Sequence, residues 1–177
     1  MERLNYIIPE CYADTNMINV LVGKDCNHQK GCSTVCKILS NNFKDRFAVG
    51  IIDKDKHEPK ALKEYRVVAS NKHMIVYKHT IKSHYVLQIV PAVEMFILNA
   101  ISEKQLDITQ YGYDGDLEHF KQKTKGVLAK KDPQLTRLCY ALSDTSSFLQ
   151  LKNVLIYLMD KRFQAQDSEI SDLLRFF

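Results

Sequence analysis

The stretch Phe47-Ala48-Val49-Gly50-Ile51-Ile52-Asp53-Lys54-Asp55 constrains the fold of this chain more than any other. An unbroken apolar run without polar alternation is what a strand buried on both faces requires. Such strands belong to the interior of parallel sheets covered by helices. The run ends in two aspartates spaced one apart. Side chains on extended backbone repeat every two residues, so Asp53 and Asp55 point the same way. Two carboxylates that close repel each other unless a cation lies between them. The plainer alternative is an ordinary strand end, in which aspartate turns the chain or caps the helix that His57-Glu58-Pro59 begins.

The segments around this run predict an α/β fold. Leu4 to Pro9 reads as a strand that stops just before Glu10. Met17, Ile18, Leu21 and Val22 recur at helical spacing, with Asp14 or Thr15 as the expected cap and Gly23 as the stop. Lys24 to Gly31 is loop-like, and Ser33 to Phe43 is a second helix. Arg46 to Ile52 is the second strand, and a short helical stretch follows from His57 to Tyr65. Arg66 to Ala69, Met74 to His79 and Tyr85 to Val90 are strand-like. Pro91 then suits a first helical position, before Val93, Phe96, Ile97, Ala100 and Ile101.

After Ser102 the composition changes. Residues Asp107 to Gly126 are polar, and helices are expected over Leu135 to Leu142, Ser146 to Phe163 and Ser168 to Phe177. The chain therefore divides into an α/β core with a largely parallel central sheet, residues 1–102, and a C-terminal helical extension packed on it, residues 103–177.

Composition limits the function classes. With 45% hydrophobic residues in 177, the chain can bury a normal core. A formal charge of +4 is compatible with nucleic acid without arguing for it. No apolar run is long enough to span a membrane, and the N-terminus lacks a signal-peptide pattern. The five cysteines are an odd count in a chain too large to need disulfide staples, so a cytoplasmic protein is expected.

In open α/β sheets functional groups gather at the carboxyl ends of strands. Glu10 and the Asp53/Asp55 pair both sit at such ends. Asp14 lies four residues after Glu10, and Glu94 lies in the first turn after the last strand. Oxygen donors of this kind suit Mg²⁺ or Mn²⁺. Taken alone, Glu94 is better explained by the helix dipole, which favours an acid in a first helical turn. Cys26, His28, Cys32 and Cys36 have metal-ligand chemistry, but their spacing fits no zinc finger, and buried thiols are the expectation. The lysines of Lys121 to Lys131 are expected on a solvated surface, as are His73, His79 and His84 with their neighbouring lysines.

The acidic pattern resembles a Toprim domain of the OLD-type, defence-associated nuclease kind. Such domains carry a glutamate at the end of the first strand, here Glu10 in YIIPECYAD, and a DxD motif at the end of a later one, here Asp53 and Asp55. A second acid four residues after the glutamate corresponds to Asp14, and a helix-borne glutamate to Glu94. The resemblance covers residues 1–102, and Cys11 stands where a glycine often follows the first glutamate. It implies Mg²⁺- or Mn²⁺-dependent cleavage of phosphodiesters in DNA or RNA, with Glu10, Asp53 and Asp55 catalytic. Glu10, Asp14, Asp53, Asp55 and Glu94 would hold metal, and Lys54, Lys56 or His57 would contact phosphate. It also implies a separate ATPase partner, because this chain carries no phosphate-binding G-x-x-x-x-G-K-[ST] loop. A homo-oligomer is compatible with the sequence. The competing readings are a non-catalytic module that binds a protein partner and a regulator that binds nucleotide without hydrolysing it.

Overall fold

The computed structural model describes residues 3–54 and 59–175. A five-stranded mixed sheet runs in the order β1-β2-β5-β4-β3. Its strands are β1 (Ile7–Pro9), β2 (Ala48–Asp53), β3 (Tyr65–Ser70), β4 (Met74–His79) and β5 (His84–Ile89). β1 and β5 flank β2, both parallel to it, whereas β4 and β3 continue the sheet antiparallel. The expected parallel character therefore holds for the centre only. β2 is the interior strand that its sequence predicts, with Ala48 to Ile52 all buried. The expected first strand is shorter than its apolar run. Leu4 makes a single bridge to Cys26, and residues 27–29 run along the free side of β1, where Asn27 and Gln29 donate N–H bonds to Ile7 and Pro9.

Alternation along the strands supplies two buried faces. Ile7, Val49, Ile51, Leu87 and Ile89 point to one, and Ile8, Ala48, Ile52 and Val86 to the other. The second face is covered by α2 (Cys32–Ile38), which widens into a π-helical turn, Leu39–Phe43, where an unbroken helix to Phe43 was expected. Gly50 permits this cover to lie close. A Cβ there would sit 2.7 Å from Val35 Cγ1 and 3.1 Å from Leu39 Cδ1.

The first face receives most of the helices. They are α1 (Tyr12–Val22), α3 (Val93–Lys104), α4 (Leu117–Thr124), α5 (Pro133–Leu142), α6 (Ser146–Lys161) and α7 (Asp167–Arg175). Their apolar residues, including Met17, Phe96, Phe120, Leu138, Phe148 and Leu155, join the sheet in one buried cluster. α5 and α6 pack on α1 and α3, and α7 packs on β3. No helix among the described residues is long and apolar enough to cross a membrane.

Two helix starts differ from expectation. α1 is capped by Cys11, not by Asp14 or Thr15. Asp14 is the third residue of the helix, and its Oδ2 accepts the Cys11 N–H (3.1 Å) while its own N–H is given to Cys11 Sγ (3.2 Å). That reciprocal pairing satisfies two of the free amides at a helix start. Gly23 ends the helix in the left-handed conformation, as expected. α3 begins at Val93, so Pro91 stands outside it. Ala92 has no side chain to cap with, and Asp53 Oδ1 on the neighbouring strand accepts the Val93 N–H at 2.9 Å. α4 is an addition to the reading: the polar stretch from Asp107 hides a helix whose cap is Asp116.

Candidate metal and phosphate site

The three parallel strands end on the same edge of the sheet, and the acids follow from that. Glu10 comes directly after β1, Asp53 is the last residue of β2, and Glu94 lies in the first turn of the helix after β5. Asp14, one turn into α1, completes the group from the side. Glu10, Asp53 and Glu94 line a cleft of about 610 Å³ together with Cys11, Tyr12, His28, Lys30, Lys54, Lys121 and Lys125. Asp55, Lys56 and His57 lie outside the described residues.

Hydrogen bonds hold the carboxylates in place. Glu10 Oε2 accepts the backbone N–H of Asp53 (3.1 Å) and the Cys32 thiol (2.9 Å). This bond ties the end of β1 to the end of β2 through a functional side chain. Asp14 is fully buried, and its Oδ1 has no hydrogen-bond partner among the described residues. A buried carboxylate oxygen left unpaired is costly and needs an explanation.

The electrostatics point the same way. Burial, then the neighbouring carboxylates Asp14, Glu10 and Glu94, push Asp53 well above the usual carboxylate range. Burial and the charges of Glu10 and Glu94 push Asp14 upward too, against the opposing hydrogen bonds to Cys11. Such a cluster is satisfied by protons or by a cation. Three potential ligand atoms lie together here. Cys11 Sγ and a carboxylate oxygen each from Asp14 and Asp53 lie within 4.8 Å of one another, the only such group among the described residues.

The cysteine and histidine set noted in the sequence is not brought together. Cys26 and Cys36 are buried, Cys26 directing its thiol to the Lys24 carbonyl. Cys32 turns to Glu10, and His28 stacks on Tyr12 with ring centroids 4.3 Å apart while its Nδ1 meets Thr15 Oγ1 at 2.9 Å. Burial and Lys130 hold His28 below its ordinary value, which favours a neutral ring.

The basic rim contains residues that sequence reasoning missed. Lys121 on α4 and Lys125 at its C-terminal cap were expected only as solvated lysines. Lys121 is half-buried and pairs with Glu118 at 2.9 Å, Lys125 is exposed, and both line the cleft together with Lys30 and Lys54. No local signal marks them, because α4 reaches the cleft through its packing on α3. Cys11 was visible only as a departure from a glycine. No family model, curated protein or solved structure matches the chain.

Proposed function

We propose that the protein is a Mg²⁺- or Mn²⁺-dependent nuclease of Toprim type that cleaves phosphodiesters in DNA or RNA. The observation that carries this reading is the convergence of Glu10, Asp53 and Glu94 on a lysine-rimmed cleft at the carboxyl edge of the parallel strands, with Asp14 buried next to Asp53. Four acids gathered beside four lysines suit a polyanion held against a cation, because the lysines attract phosphate that the acids alone would repel.

Asp14 and Asp53 would hold the ion, with Glu94 beside them. A divalent ion bound there supplies activation of water and neutralises charge developing on phosphorus. Glu10 is anchored through Oε2, and its Oε1 carries no hydrogen bond among the described residues, which leaves it to accept a proton from the attacking water. Lys54 follows Asp53 directly and lines the cleft, where it would contact a phosphate oxygen. A role in phage defence and a separate ATPase partner belong to the same proposal.

Calorimetric titration of Mg²⁺ and Mn²⁺ into the wild type and Asp53→Ala, followed by cleavage of labelled single- and double-stranded oligonucleotides, tests it. The expected outcome is binding that Asp53→Ala abolishes, with cleavage lowered at least about 100-fold. Absence of ion binding in the wild type, with oligonucleotide present, would replace the enzyme with a binding module.

A further inference from the structure

We infer that Cys11 makes the ion site sulfur-bearing, so that Cys11 Sγ, Asp14 and Asp53 together also bind a borderline transition ion of the Zn²⁺ class, in competition with Mg²⁺. The inference rests on the divalent-ion reading of the same cleft and adds to it a donor that an all-oxygen site lacks. Cys11 Sγ and the Asp14 and Asp53 oxygens lie within 4.8 Å of one another. Zinc holds sulfur at about 2.3 Å and oxygen at about 2.0–2.2 Å in a tetrahedron, which places neighbouring donors roughly 3.5 Å apart. The three side chains therefore need to close by only about 1 Å around an ion of that size.

Two features make this a set of ligands and not a chance contact. The sulfur is oriented, because Cys11 caps α1 and its Sγ accepts the Asp14 N–H at 3.2 Å. Asp14 is fully buried, and its Oδ1 has no hydrogen-bond partner among the described residues. Three protein donors with a cleft on the fourth side match the open arrangement of zinc sites that admit water or substrate. Mg²⁺ prefers six oxygen ligands and gains nothing from sulfur, whereas later transition ions favour a thiolate, so that Cys11 gives up its thiol proton to solvent as the ion binds. Zn²⁺ at this position would compete with Mg²⁺ for Asp14 and Asp53.

Co²⁺ reports zinc-type sites directly, because sulfur coordination produces a charge-transfer band in the near ultraviolet. Titrations of Co²⁺ and Mg²⁺ into wild type, Cys11→Ser, Cys32→Ser and Asp53→Asn, followed by absorbance and calorimetry, give the test. Serine is itself a favoured N-cap, so Cys11→Ser keeps the start of α1, which far-ultraviolet circular dichroism checks. The expected result is a sulfur band in wild type and Cys32→Ser that is lost in Cys11→Ser. Co²⁺ affinity in Cys11→Ser falls at least about tenfold, the loss seen even for groups that only support a ligand. Mg²⁺ affinity stays the same in that variant. Co²⁺ binding without a sulfur band, or a band that survives Cys11→Ser, overturns this inference and leaves the oxygen site standing. Absence of binding by any of the ions in wild type overturns the site and the inference together.

Discussion

Asp53 carries two tasks that conflict. Its Oδ1 caps α3 through Val93 N–H, which stabilises the fold, and its carboxyl is buried among Asp14, Glu10 and Glu94, so that without an ion it must take up a proton or hold a crowded charge, which destabilises it. Asn keeps the acceptor and removes the charge. Asp53→Asn should therefore raise the stability of the ion-free protein by about 1 kcal/mol, measured by thermal unfolding in chelator. The same variant should lose the rise in melting temperature that Mn²⁺ gives the wild type. A lower melting temperature in chelator would mean that the carboxylates do not repel.

His84 shows the opposite sign of linkage. It is fully buried with neither ring nitrogen hydrogen-bonded by a side chain, and burial, then His79 and Lys82, lower it to about 4. The His79 ring from β4 stands 5.9 Å away, and Asp45 and the Arg46 backbone, just before β2, oppose the shift. In the unfolded chain the same ring titrates near 6.5. The unfolded state then binds more protons between these values, so stability is full above about pH 6.5 and is lost as pH falls towards 4. His84→Phe removes this contribution. Urea titrations at pH 7.5 and 5.0 should show the wild type losing about 1–3 kcal/mol more than the variant over that interval. Equal losses would remove His84 from the acid response.

Among elements, β2 and α2 are matched through a missing side chain. Gly50 is flanked by buried residues, and its Cα faces Val35 and Leu39. A methyl group there forces the helix away from the strand that ends in Asp53. Gly50→Ala should cost about 1–3 kcal/mol, the usual effect of overpacking, and chemical denaturation measures it. A neutral result would mean that α2 lifts freely. The strand β2 was legible because burial on both faces leaves an unbroken apolar run. The start of α1 was not, because a cysteine cap carries little local signal and Asp14 plays its part three residues later. The start of α3 was hidden for a related reason: its cap, Asp53, lies forty residues away.

Across the whole molecule, the last third of the chain does more than cover the sheet. α4 and its C-terminal cap bring Lys121 and Lys125 to the cleft that the first hundred residues build. Neutralising both, Lys121→Ala with Lys125→Ala, should weaken oligonucleotide binding. The slope of log affinity against log salt should fall by about 1–2 if both lysines meet phosphate. Fluorescence anisotropy across a salt series reads this, and an unchanged slope would place the phosphates elsewhere.

The sequence by itself determined the buried strand, the acids at strand ends and the helical character of the C-terminal third. Those properties are written in local pattern, since burial, period and capping act over a few residues. Only the tertiary structure decided that β4 and β3 run antiparallel, that Glu10 reaches the Asp53 amide, that Cys11 turns its sulfur among the acids and that α4 supplies two lysines. Each of these depends on which surfaces pack together, and packing joins residues by apolar area and shape, which leave no mark at any single position.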